Sequence, residues 1–165
     1  MGKTKSKKRK KTVKRKVCII DDEPIFIEMY AKKFETMNYK IISATNIVDG
    51  FKLIKKELPD IIFLDIIFSH GENGMDLLTK CKKDSQTKNI PVVLLTNLDS
   101  SELREQGCRI GALYFLTKAD FLPSDIAKLT EEILAVKDYE EHYDKAVIND
   151  KPYPTKFNRR LDGEL

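Results

Sequence analysis

Five short runs of mostly aliphatic residues, each followed by a longer segment of mixed polarity, limit what this chain can become more than any other feature. The runs are Val17–Ile20, Lys40–Ala44, Ile61–Leu64, Pro91–Leu95 and Leu113–Leu116. Strands that are apolar on both faces lie between two layers of helix, and strands alternating with helical segments build a parallel sheet from βα repeats. Apolar residues at helical spacing predict helices over about Pro24–Met37, Ile47–Glu57, Gly74–Lys83, Ser101–Ile110 and Ser124–Val136. Pro24 suits a first helical turn, and Ser100 or Ser101 and Ser124 are expected N-caps.

At 165 residues there is room for one such domain with tails. No stretch reaches the roughly 18 apolar residues of a membrane-spanning helix, so a cytoplasmic location is expected. Cys18, Cys81 and Cys108 lack any paired spacing and read as reduced thiols. The net charge is +4, of which residues 1–16 supply +10 with no acid, so residues 17–165 carry −6. Residues 1–16 are therefore an electrostatically separate, disordered tail. Without an aromatic residue, this tail has no platform for stacking bases. Any contact it makes with nucleic acid or an anionic membrane would be unselective. Residues 138–165 read as a partly disordered C-terminal extension.

In an open parallel sheet, ligands bind at the carboxyl ends of the strands. Here those ends carry Asp21 and Asp22 after the first strand, Asp65 after the third, Thr96 after the fourth, and Thr117 and Lys118 after the fifth. Three crowded carboxylates repel one another unless a cation joins them. A hard divalent ion such as Mg²⁺ accepts carboxylate oxygens and leaves positions for phosphate oxygens. A lysine ammonium and a threonine hydroxyl beside it suit the remaining oxygens of a phosphoryl group. The set points to phosphoryl transfer onto a carboxylate. Nucleotide-binding alternatives fail, because Gly2-Lys3-Thr4 follows no strand, and the acidic turn Asp21-Asp22-Glu23-Pro24 would repel a pyrophosphate.

Across roughly residues 17–137 these motifs resemble the receiver domains of two-component response regulators, and the size resembles the chemotaxis-type single-domain members. Asp21-Asp22-Glu23-Pro24 is similar to the family's acidic pair, Asp65 after Ile61-Ile62-Phe63-Leu64 to its phosphoacceptor, and Leu94-Leu95-Thr96 to its switch hydroxyl. Gly111-Ala112 leading to Phe115-Leu116-Thr117-Lys118 is similar to its final block.

The resemblance implies a flavodoxin-like, doubly wound α/β fold with five helices and a five-stranded parallel sheet in the order 2-1-3-4-5. It implies Mg²⁺ held by Asp21, Asp22, Asp65 and the backbone carbonyl of Ile67, with Lys118 and Thr96 on the phosphoryl group and Thr96 and Phe115 as the switch pair. The implied phosphodonor is a histidine kinase or phosphotransfer protein, and the implied output surface is the α4-β5-α5 face. Such a protein is a stand-alone signalling phosphoprotein and not a turnover enzyme.

Three features depart from the family pattern. The loop Ile66–Gly74 is one residue longer and lacks proline, Asn97 replaces a small residue, and Ala119 follows Lys118 where a cis-proline is usual. A trans Lys118–Ala119 bond is expected, because a cis bond before alanine costs about 2.5–4 kcal/mol. His70 is expected to be a solvated loop residue. These departures keep alive an alternative, a pseudo-receiver that binds partners without phosphorylation; a nucleic-acid or membrane binder acting through residues 1–16 is the other.

Overall fold

In a computed structural model the structure describes residues 14–142. The basic segment up to residue 13 and the segment beyond 142, which hold most of the two expected tails, lie outside the described residues. Where the tails are described they differ from expectation, because Lys16 already belongs to the first strand and the last helix continues past Val136 to His142. The strands are β1 (Lys16–Ile20), β2 (Lys40–Ala44), β3 (Ile61–Leu64), β4 (Val92–Thr96) and β5 (Tyr114–Thr117). The helices are α1 (Pro24–Thr36), α2 (Ile47–Glu57), α3 (Gly74–Lys83), α4 (Ser101–Ile110) and α5 (Pro123–His142). All strand pairs are parallel, in the order β2-β1-β3-β4-β5, as the resemblance implied.

Alternation along each strand divides the core in two. Cys18, Ile20, Ile62, Leu64, Leu94 and Phe115 face one way and pack with Ile54 of α2, Leu77 and Leu78 of α3 and Leu103 of α4. Val17, Ile19, Ile61, Phe63, Val93 and Tyr114 face the other way and pack with Tyr30 and Phe34 of α1 and Ile126 and Leu129 of α5. Since every strand in the middle of the sheet is covered on both faces, its residues read as an unbroken apolar run.

Two strands sit one residue later than the aliphatic runs suggest. Pairing of Leu95 with Leu116 and of Thr96 with Thr117 carries the β4–β5 ladder onto both threonines, because neighbouring backbone, not side-chain polarity, decides where a ladder ends. Helix α1 stops at Thr36, one residue short of expectation, and Asn38 follows with a φ of 65°, a conformation that asparagine tolerates better than most residues. Ser100 caps α4 by accepting from Leu103 N at 3.3 Å.

Ser124 does not cap α5, contrary to expectation. The helix opens one residue earlier on Pro123, whose missing N–H suits a first turn. The carboxylate of Asp125 takes the Leu122 N–H at 2.9 Å.

Helix α3 lies hard against the end of β3 at Gly74. A Cβ there would stand 1.9 Å from the Asp65 carbonyl oxygen, so this approach requires glycine. Gly74 N donates to the Ile66 carbonyl at 2.7 Å.

Candidate functional site

The carboxyl ends of β1, β3, β4 and β5 bring Asp21, Asp22, Asp65, Thr96 and Lys118 to one rim. Asp21, Asp65 and Lys118 are each 5% exposed or less. Lys118 opens a single 3-10 turn (Lys118–Asp120), and its bond to Ala119 is trans, as expected. From there Lys118 Nζ reaches Asp21 Oδ2 and Asp65 Oδ2, each at 2.7 Å. The same ammonium lies 4.2 Å from the centroid of the Phe26 ring and 3.6 Å from Glu23 Oε1.

This cluster is buried charge that is only partly compensated, since one ammonium faces two carboxylates. Burial pushes the Asp21 carboxyl above the ordinary carboxylate range, and its bonds from Lys118 and Glu23 N only partly reverse this. Burial by itself lowers the pKa of Lys118, but the hydrogen bonds to Asp21 and Asp65 outweigh it and hold the ammonium above its ordinary 10.5. Asp65 Oδ1 accepts from Ile66 N at 2.6 Å and Ile67 N at 3.4 Å, so backbone donors on one oxygen and the lysine on the other fix its plane.

Asp22 is held differently. Burial raises its carboxyl, yet the hydroxyl and N–H of Ser69 keep it below the usual range. Ser69 N lies 2.7 Å from Asp22 Oδ2, and Ser69 Oγ donates to the same oxygen. Oxygens of Asp21, Asp22 and Asp65 all lie within 4.8 Å of one another. Asp22 and Asp65, but not Asp21, border an open cleft of about 250 Å³ whose other lining residues are Glu23, Ile67, Ser69, Thr96, Asn97 and Leu98.

The lengthened loop between β3 and α3 is pinned at several points. Ile67 forms an antiparallel bridge with Asn73 whose bonds run from Phe68 N to Glu72 O and from Gly74 N to Ile66 O. The Ile67 carbonyl takes no part in either bond. Phe68 is buried in the core, and Glu72 Oε2 accepts from Ile47 N at the start of α2 at 3.1 Å. The turn through Ser69, His70 and Gly71 lies beyond Ile67, and His70 is exposed.

Thr96 is buried, with its hydroxyl 3.4 Å from Leu98 N. Phe115 points into the core. Sequence reasoning missed three residues that support this rim: Ser69 on Asp22, Phe26 under Lys118, and Arg104, which binds Phe115. None belongs to a local motif.

A parallel five-stranded sheet whose rim gathers three acids, a threonine and a lysine defines a class, the signalling receiver of two-component systems. The chain belongs to the response regulator receiver family: residues 17–133 match the model of the response regulator receiver domain. It is 32% identical over 121 residues to protein PilH of Pseudomonas aeruginosa, covering 73% of this chain and 96% of that one. It is 30% identical over 118 residues to the phosphate regulon transcriptional regulatory protein PhoB of the same organism, covering 72% of this chain and 51% of PhoB.

Among solved structures, a CheY-like receiver domain protein from Methanospirillum hungatei has a TM-score of 0.72 at 21% identity, covering 78% of this chain and 99% of that one. Chemotaxis protein CheY4 of Vibrio cholerae has a TM-score of 0.67 at 24% identity, covering 72% and 98%. These two likenesses establish the fold. Among the described residues, no helix is long and apolar enough to cross a membrane.

Proposed function

We propose that Asp65 is the phosphoacceptor, taking a phosphoryl group from the phosphohistidine of a histidine kinase or phosphotransfer protein in the cytoplasm. One observation carries the assignment. Of the three acids, Asp65 alone both borders the open cleft and lies 2.7 Å from Lys118. Asp21 is tied to Lys118 but does not line the cleft, and Asp22 lines it but is engaged by Ser69.

The donor chemistry fits a hard divalent cation such as Mg²⁺. Three carboxylates each offer an oxygen within a small radius, and the Ile67 carbonyl remains outside the loop's own bonding. Asp21, Asp22, Asp65 and that carbonyl would hold the ion. When bound, it supplies charge neutralisation for the incoming phosphoryl group.

In the transfer, an Asp65 oxygen forms a bond to phosphorus while the bond from phosphorus to the donor imidazole nitrogen breaks, and its electron pair leaves with the imidazole. Lys118 and the Thr96 hydroxyl bind phosphoryl oxygens, for which their positions at the ends of β5 and β4 suit them. Thr96 and Phe115 then reorient, shifting a two-state equilibrium at the α4-β5-α5 surface, where an output protein docks.

Acetyl phosphate with Mg²⁺ tests the reading by intact-mass spectrometry. One added phosphoryl group that disappears in Asp65→Asn is the expected result. Unchanged labelling of Asp65→Asn overturns the assignment, and an unlabelled wild type favours the pseudo-receiver.

A further inference from the structure

We infer that Ser69 is a positioning residue that makes Asp22 a one-oxygen ligand and so sets the site's preference for Mg²⁺ over Ca²⁺. The inference rests on the metal reading above and concerns a residue supplied by the lengthened loop.

A carboxylate oxygen has two lone pairs in its plane. Both donors of Ser69, its N–H at 2.7 Å and its hydroxyl, fall on the same atom, Asp22 Oδ2. That oxygen is saturated, and Oδ1 is the one the loop does not engage. The clamp is held from both sides, by burial of Phe68 immediately before it and by the Ile67–Asn73 bridge around it. Gly71 closes the turn with a φ of 79° and an N–H bond to the Phe68 carbonyl at 3.1 Å.

The two ions respond differently to this restraint. Mg²⁺ requires near-octahedral geometry at about 2.0–2.1 Å and keeps several waters, so one oxygen per carboxylate is what it uses. Ca²⁺ takes about 6–8 oxygens, often with a carboxylate gripping it through both atoms. With Oδ2 occupied, that grip is denied at Asp22. Removing the hydroxyl frees one lone pair of Oδ2, which costs Mg²⁺ the fixed ligand and gives Ca²⁺ a second oxygen.

The test is titration of the 165-residue chain with Mg²⁺ and with Ca²⁺, followed by calorimetry and by amide NMR shifts. Wild type, Ser69→Ala, Ser69→Thr and Asp22→Ala are compared. Losing a residue that orients a metal ligand typically costs ~10–100-fold in affinity, so the ratio of Mg²⁺ to Ca²⁺ affinity is expected to fall roughly tenfold in Ser69→Ala and to return in Ser69→Thr. An unchanged ratio in Ser69→Ala, with Mg²⁺ binding still lost in Asp22→Ala, overturns the role of Ser69 and leaves the metal reading standing. Failure of wild type to bind Mg²⁺ overturns the metal reading and this inference together.

Discussion

The guanidinium of Arg104 lies over the ring of Phe115, 4.5 Å from its centroid, and its Nη1 donates to the Phe115 carbonyl at 3.0 Å. One residue of α4 thus holds both the backbone and the ring of the aromatic on β5, while its Nη2 pairs with Asp99 Oδ1 at 3.3 Å in the segment after β4.

Arg104→Ala is expected to lower stability by about 2 kcal/mol, combining a charged hydrogen bond with a cation–π contact. Arg104→Lys should recover only part of this, because an ammonium lacks the planar fork. Asp99 is 70% exposed, so Asp99→Ala should change stability by less than about 0.5 kcal/mol. Urea unfolding measures all three, and a loss in Asp99→Ala equal to that in Arg104→Ala would mean the surface pair, not the grip on Phe115, supplies the stability.

Lys118→Met should destabilise the domain by ~3–5 kcal/mol near neutral pH, since it leaves Asp21 and Asp65 buried without a cation. The pH dependence has a definite sign. The ammonium is held above its ordinary 10.5 in the folded state, so its contribution is fully present below that value and is lost as pH rises through the folded value. Urea midpoints of wild type and variant should therefore converge on the alkaline side, above about pH 10.5. A gap that persists unchanged there would refute the bridge as its source.

Gly74→Ala and Gly107→Ala should part company. At Gly74 the added Cβ meets the Asp65 carbonyl oxygen at 1.9 Å and the Asp65 carbonyl carbon at 2.9 Å, both backbone. Backbone has no rotamer to yield, so the cost should be about 3 kcal/mol or more, with α3 pushed away from the Asp65 end of β3. At Gly107 the nearest atom is the tip of Leu94, Cδ1 at 2.6 Å. A side-chain tip can shift, and alanine is favoured in a helix by about 1 kcal/mol, so little net change is expected. Thermal denaturation with amide NMR around Asp65 checks both.

The phosphoryl group on Asp65 should be long-lived. Ile67 and Leu98 border the cleft at 52% and 41% exposure, at positions that in receivers flank the path of the hydrolytic water. Neither can orient a water by hydrogen bonding, and such assistance is worth ~10²–10⁴-fold. Ile67→Asn with Leu98→Glu is expected to speed phosphate release after the donor is removed. A double mutant no faster than wild type would show that water positioning does not limit the lifetime.

By itself the sequence determined the five strands, their parallel arrangement between two helical layers, and the residues that follow each strand. Those are consequences of local periodicity, and Asp21, Asp22, Asp65, Thr96 and Lys118 were legible because each occupies a strand end. What the tertiary structure decided is which distant groups complete them. Ser69 grips Asp22 across 47 residues of chain, and Glu72 caps α2 across 25. Phe26 lies under Lys118, and Arg104 on Phe115.

No repeat or spacing encodes such pairs, since they depend on where a loop turns and how closely two elements approach. The same holds for the last residues of β4 and β5, where backbone pairing of Thr96 with Thr117 extends the strands past their apolar runs. Periodicity along one segment reports which face of that segment is buried; only packing reports what it is buried against.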